Sequence, residues 1–323
     1  MRAQKGWDFG PKCPAEQQRA PVMKTKQLLI IQSAVLVGLL ALATSRSAVA
    51  DGLHIHPVFI GGDAPSNVVG GGDLQTIMEA AAKKWERVFR RGPDWDITIR
   101  YEWGEPIGGN TGPVYAQAIF EGEGGTPVRP TSAFVVFRNT GAVLELFEWF
   151  ADPTPENNSH FDHYESYLGE VLSGPPDFTV IGELNVGRVF STETGPAAGR
   201  IDLLTIAVHE IGHALGLDPR YAGNQSQCPG EGVFITPPLP FVGFFFYLQR
   251  CEHVVGYPDL ALMWPDPTPG WRNLISAADA LVIAQFSSWK RPDLSEPPDV
   301  PHVKPLHCCR LILGPPPTAD IAD

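Results

Sequence analysis

Positive charge is scarce in this chain: 24 Lys and Arg stand against 36 Asp and Glu in 323 residues. An acidic surface repels phosphate backbones and anionic lipid, so nucleic acid and anionic membranes are excluded as expected partners. Long apolar runs are scarce too, the one of note being Leu28 to Ala43 near the start. It follows the basic Met23-Lys24-Thr25-Lys26 and precedes Ala48-Val49-Ala50, the order of a secretory signal peptide. At this length, and so close to the small residues, it is not expected to remain as a permanent membrane span. Residues 1–22 then read as misassigned upstream translation and 23–50 as the signal, with the exported chain starting near Asp51. Loss of residues 1–50 removes seven basic and two acidic side chains and leaves 17 basic against 34 acidic, a formal charge of −17. Internal repeats are absent. Cysteine is sparse, and the four beyond the leader are Cys228, Cys251, Cys308 and Cys309.

What stands out instead is Ile201 to Leu217. Ile201, Leu204, Val208, Ile211 and Leu215 recur at helical spacing, Asp202 is placed to cap the start, and Gly216 is placed to turn the chain out. On that helix His209 and His213 sit one turn apart and point the same way. Two imidazoles so placed can share one Zn²⁺, with Glu210 between them as the base acting on water. With the glycine three residues after His213 and the later Ala261-Leu262-Met263-Trp264-Pro265, the stretch resembles the metzincin clan of zinc endopeptidases. Their signature is His-Glu-x-x-His-x-x-Gly-x-x-His followed by a methionine turn.

The resemblance departs at the third ligand, where Pro219 replaces the clan's histidine. Leishmanolysin-like members carry an insertion at this point. His253 lies ten residues before Met263 and is the only histidine between His213 and that methionine, so the resemblance implies His209, His213 and His253 as ligands, with 217–252 inserted. Asp218 is the alternative third ligand, and Glu231 or Glu252 would supply a carboxylate as in thermolysin-like enzymes. Cys228 and Cys251 bracket most of the insertion and are natural disulfide partners in an oxidising compartment; pairing with the tail cysteines stays open. Met263 would form a hydrophobic floor below the metal. The aromatic run Val233–Leu248 is expected to fill a small core of the insertion, with an exposed substrate-gripping flap as the alternative.

Around this centre, periodicity predicts a strand over Leu53–Ile60 and a helix over Leu74–Arg91 capped by Asp73. Strands follow at Ile97–Trp103, Val114–Phe120, Ala133–Phe137, Val143–Phe150 and Phe178–Phe190. His160, Asp162, His163 and Glu165 fall in what reads as a solvated polar loop, with a secondary metal site as the alternative. A closing helix begins at Ser276 with Asp279 completing a capping box. Residues 290–323 read as a proline-rich irregular tail. The implied fold is α+β and metzincin-like: a twisted mixed sheet over an active-site helix, then a C-terminal helix after the methionine turn, the whole spanning 51–289. Of the predicted strands, Ala133–Phe137 and Val143–Phe150 are the candidates for the edge that borders the cleft. The resemblance implies a secreted, monomeric zinc endopeptidase acting on protein or peptide, with one catalytic Zn²⁺. The acidic surface also leaves room for structural Ca²⁺. The alternative is a catalytically inactive relative serving as a secreted binding or surface protein.

Overall fold

A computed structural model describes residues 51–107, 114–140, 146–173, 177, 179–228, 230–255 and 260–312. The expected upstream segment and signal lie outside the described residues, as do 141–145 of one expected strand and the end of the tail. The elements in chain order begin with β1 (Asp51–Gly61), β2 (Val68–Val69), α1 (Leu74–Val88), β3 (Gly92–Gly104), β4 (Ala116–Gly124), β5 (Arg129–Arg138) and β6 (Trp149–Phe150). They continue through β7 (His163–Leu172), β8 (Val180–Ser191), β9 (Ile201–Asp202), α2 (Leu203–Ala214), α3 (Ala222–Gln227) and β10 (Gly232–Phe234). The last are β11 (Phe245–Gln249), β12 (His253–Val254), β13 (Trp271–Leu274), α4 (Ala277–Phe286) and β14 (Leu306–Ile312).

The result is α+β, built on a twisted mixed sheet in the order β1-β3-β5-β4. β1, β3 and β5 run parallel, and β4 is the antiparallel edge. β3 shows why the sheet has one wet face: Trp95, Ile97, Ile99, Tyr101 and Trp103 alternate inward as buried residues. α1 crosses from β1 to β3 and turns Leu74, Ile77, Met78, Trp85 and Val88 into the core, its start capped by Asp73 accepting from the Thr76 N–H at 2.9 Å. It packs on β1, while α2 packs on β4 and β5, and the two helices pack on each other. Trp85 Nε1 donates to Val208 O at 2.8 Å and pins that crossing.

α2 is apolar nearly all round, and every residue of it except His213 is buried. Its N-cap is the expected Asp202, whose Oδ2 accepts from the Thr205 N–H at 3.0 Å. The same carboxylate is clamped by Arg272 of β13, whose Nε and Nη2 reach its two oxygens at 2.9 Å each. Arg272 Nη2 also reaches Asp152 at 2.8 Å. Arg272 and Asp152 are wholly buried and Asp202 almost so. One cation between two carboxylates therefore welds the helix start to β13 and to the segment after β6.

Four readings need correction. α1 stops at Val88 instead of Arg91, because Phe89 turns inward against Trp95 and Trp289 and β3 begins at Gly92. The polar stretch around His163 is strand β7, antiparallel to β8: Tyr164 and Ser166 alternate inward beneath its outward polar residues. There His163 meets Glu165 at 3.1 Å, whereas His160 meets Asp152 at 3.5 Å, so the residues form separate pairs. The tail is not irregular throughout. Leu306–Ile312 pairs in parallel with β7, and Leu311 is buried against Gly169, a long-range pairing that local periodicity cannot register. Ala133–Phe137 lies inside β5, between β3 and β4, so the edge facing α2 is β4 and neither of the expected strands. Among the described residues no helix is long and apolar enough to cross a membrane.

Replacing Arg272 by Met leaves Asp152 and Asp202 buried without their cation. R272M is expected to lose about 3–5 kcal/mol in urea denaturation. A loss below about 1 kcal/mol would show that the clamp is not what holds the helix start.

Candidate metal centre

α2 places His209 and His213 as the spacing predicts, and the backbone around it sets their tautomers. His209 Nδ1 lies 2.8 Å from Leu262 O, and His213 Nδ1 lies 2.8 Å from Leu217 O. A carbonyl only accepts, so both Nδ1 atoms carry the proton and both Nε2 atoms present a lone pair. Those two Nε2 atoms face each other at 3.0 Å. Two acceptors at that distance repel unless a cation bridges them, and ligand nitrogens about 2.0–2.1 Å from a tetrahedral zinc stand about 3.3 Å apart. His253, on β12, completes the group: its ring centroid lies 5.4 Å from that of His209 and 4.9 Å from that of His213. One ring nitrogen from each of the three falls within 4.8 Å of the others, a set that can hold a metal ion. Three converging neutral imidazoles are a donor set that fits zinc.

Asp218 does not join them. Both its oxygens accept from Arg220, Oδ1 at 2.9 Å from Nε and Oδ2 at 2.5 Å from Nη2. Glu231 and Glu252 are likewise outside the cluster, and the described residues hold no second group of three side-chain ligands. Burial keeps the ligand rings neutral, and for His209 and His253 the repulsion that charged neighbouring rings would exert adds to it. His209 is drawn down to about 3 and His253 to about 2, and His213 is lowered chiefly by burial.

Glu210 projects from the same helix toward the sheet edge. Its Oε2 accepts from the Ala118 N–H of β4 at 2.7 Å, and the side chain is 6% exposed. Burial pushes the carboxyl up to about 8, against the pull of that hydrogen bond. A carboxylate in this setting can take and return a proton near neutral pH.

Met263 is fully buried, with its side chain against Gly212 of α2. A Cβ on Gly212 would come within 2.5 Å of its Sδ, so the helix needs a glycine there for the methionine to sit against its backbone. The turn carrying Met263 is held by Asp279, whose carboxylate accepts from the Leu262 and Met263 N–H groups at 3.2 and 3.1 Å. Asp279 also closes the expected capping box with Ser276. Leu262 O is the acceptor for His209, and Met263 O accepts from the Val254 N–H at 3.0 Å, next to His253. Two of the three ligands are thus registered against one turn.

No family model, curated protein or solved structure matches this chain. The site stands on its own geometry.

Residues 217–252 lead from α2 to the third imidazole and are tied down at two points. Cys228 and Cys251 form a disulfide, with Cα atoms 6.1 Å apart, two residues before His253. Asn224, buried in α3, donates from Nδ2 to Cys251 O at 2.8 Å and to Gly216 O at 3.4 Å, joining the bridge to the end of α2. Sequence reasoning saw Asp279 only as a helix cap and gave neither Ala118 nor Asn224 a part in the site. Each makes a hydrogen bond between a side chain and a backbone group across as many as 92 residues, and no residue pattern encodes such a pairing.

In metal-free protein the histidines and Glu210 set opposing pH slopes. The ligand histidines have folded values below 6.5, so the unfolded chain takes up their protons first; their contribution is present above pH 6.5 and lost as pH falls through it. Glu210 is raised from 4.5 to about 8, so its contribution is present below 4.5 and lost as pH rises toward 8. The urea midpoint measured in chelator is expected to peak near about pH 7 and to fall on acidification. A midpoint flat between pH 4.5 and 6.5 would contradict the burial of neutral ligands.

Proposed function

We propose that this chain is a zinc-dependent endopeptidase of metzincin type, with a leishmanolysin-like insertion between the second and third ligands. The observation that carries the reading is the convergence of His209, His213 and His253 with Glu210 on the same buried helix. Supporting it are the buried Met263, the C-terminal helix α4 after the turn, and the mixed sheet whose antiparallel edge β4 faces α2. Export to an oxidising compartment is supported by the Cys228–Cys251 bridge.

The three imidazoles would hold the ion, which would supply Lewis acidity toward water and toward a peptide carbonyl. The chain's own part is positional and acid–base. Ala118 N–H orients the Glu210 carboxylate through Oε2. Glu210 takes the proton from the attacking water and passes it to the departing amine nitrogen as the peptide bond breaks. With a cation held beside it, the Glu210 carboxyl would titrate below its metal-free value and be ionised as the base at neutral pH. Among the described residues β4 is the sheet edge beside α2, the kind of edge an extended peptide pairs with, although at Ala118 the N–H is held by Glu210 and the C=O by Arg220.

E210Q keeps all three ligands and removes the base. It is expected to bind zinc as wild type does and to lose turnover on an unfolded protein substrate by about 10²–10⁴-fold. Undiminished proteolysis by pure mutant protein would contradict the assignment.

A further inference from the structure

The insertion splits its aromatics between two faces. In β11, Phe246 and Leu248 are buried, and with Val233 opposite Phe246 and Val254 opposite Leu248 they make the inner side. Phe245 and Tyr247 alternate outward. Phe234 is directly across from Phe245, so it shares that outer face. It is 45% exposed, and Tyr247 is 36% exposed. The three rings form a continuous ladder, with centroids 4.8 Å apart from Phe234 to Phe245 and 5.1 Å from Phe245 to Tyr247. Gly232, opposite Tyr247, makes room for it: a Cβ there would come within 2.2 Å of the Phe245 ring, which lies across that strand.

The register then carries this face to the metal centre. Gln249 follows Tyr247 on the outer side and is directly across from His253. The outer row therefore runs Phe234, Phe245, Tyr247, Gln249 and ends beside the third imidazole. None of these side chains except His253 is ionisable below the tyrosine range, although the chain as a whole carries a net charge of −12. The inner face already buries the residues that attach the insertion, so the outer rings are surplus to folding. Exposed rings in a row mark a surface that something apolar covers.

We infer that this ladder is the specificity surface of the cleft, taking bulky apolar side chains, aromatic or branched aliphatic, of an extended peptide close to the bond that is cut. The inference rests on the peptidase reading for the phrase "bond that is cut", but the surface itself is tested separately. A peptide is favoured over a bilayer as occupant because the row terminates at His253 and the chain is acidic, which disfavours anionic lipid.

The test uses the zinc-loaded full chain and F234S/Y247S, two exposed positions whose replacement leaves the inner face intact. Zinc content and the circular dichroism spectrum establish that the variant is folded. A mixture of short peptides from a digested proteome is incubated with each protein, and the cut sites are read by mass spectrometry. The wild type is expected to enrich Phe, Tyr, Leu or Ile near the cut. The variant is expected to lose that enrichment by about tenfold, the discrimination that one or two apolar contacts provide. An unchanged preference in the variant overturns the inference and leaves the peptidase reading standing. A second measurement does not need turnover. A fluorescein-labelled Phe- and Leu-containing peptide is titrated against zinc-loaded E210Q, with and without F234S/Y247S, beside its alanine-substituted counterpart. Weakening by about tenfold on loss of the rings supports the surface even if the wild type cuts nothing, in which case the peptidase reading alone fails. Equal affinities, or ring-dependent attachment to phosphatidylcholine vesicles with none to peptide, overturn it.

Discussion

Three imidazoles are drawn together at the protein interior, His209 buried and His213 and His253 partly so, with one nitrogen of at least two rings already committed. Leu262 O and Leu217 O claim the Nδ1 protons of His209 and His213, and the remaining lone pairs point at one another across 3.0 Å. That arrangement is unfavourable for the bare chain: burial disfavours the charged rings, and convergence makes acceptor face acceptor. A dication relieves both penalties at once, and binding it to the folded state alone adds to the stability of the fold. The rest of the molecule holds the rings in this position.

It does so through connections that bring distant segments to one point. Arg272 clamps the N-cap carboxylate of α2 and so fixes where the helix starts. Trp85 fixes how it crosses α1. At the other end Asp279 grips two successive backbone N–H groups of the methionine turn, which passes one carbonyl to His209 and the next to Val254. The buried Asp279 carboxyl is pushed up by desolvation, but it has Ser276 and both turn amides as donors, so few of its acceptor sites go unused. The disulfide and Asn224 serve His253 in the same manner. Because cores of this kind are closely packed, a shift of a few tenths of an ångström in any one tie moves a ligand nitrogen.

Legibility in the sequence followed the range of the interaction. α2, its Asp202 cap, the Asp73 cap of α1 and the Ser276–Asp279 capping box are local patterns within four residues, and all were readable. The 228–251 bridge was readable because both cysteines bracket an apolar segment. His253 was reached only through a family resemblance and its distance from Met263, since nothing nearby in sequence marks a lone histidine as a ligand. β7 was missed because polar residues on its outer side mask a period of two. β14 was missed because prolines and charges precede it and its partner lies more than a hundred residues back. The edge strand was misplaced because strand order in a mixed sheet is a tertiary outcome: β4 follows β3 in the chain but lies beyond β5 in space. The aromatic run was legible as apolar, yet only the register separates the rings that fill the core from those that face outward.

The central claim is that three histidines, and not two histidines with a carboxylate, form one tight metal site. The direct measurement is zinc per chain by mass spectrometry of purified protein after dialysis, wild type beside H253A, with D218A as the comparison. The account predicts one zinc in the wild type and in D218A and well below one in H253A. One zinc retained in H253A, or none in the wild type, would contradict it.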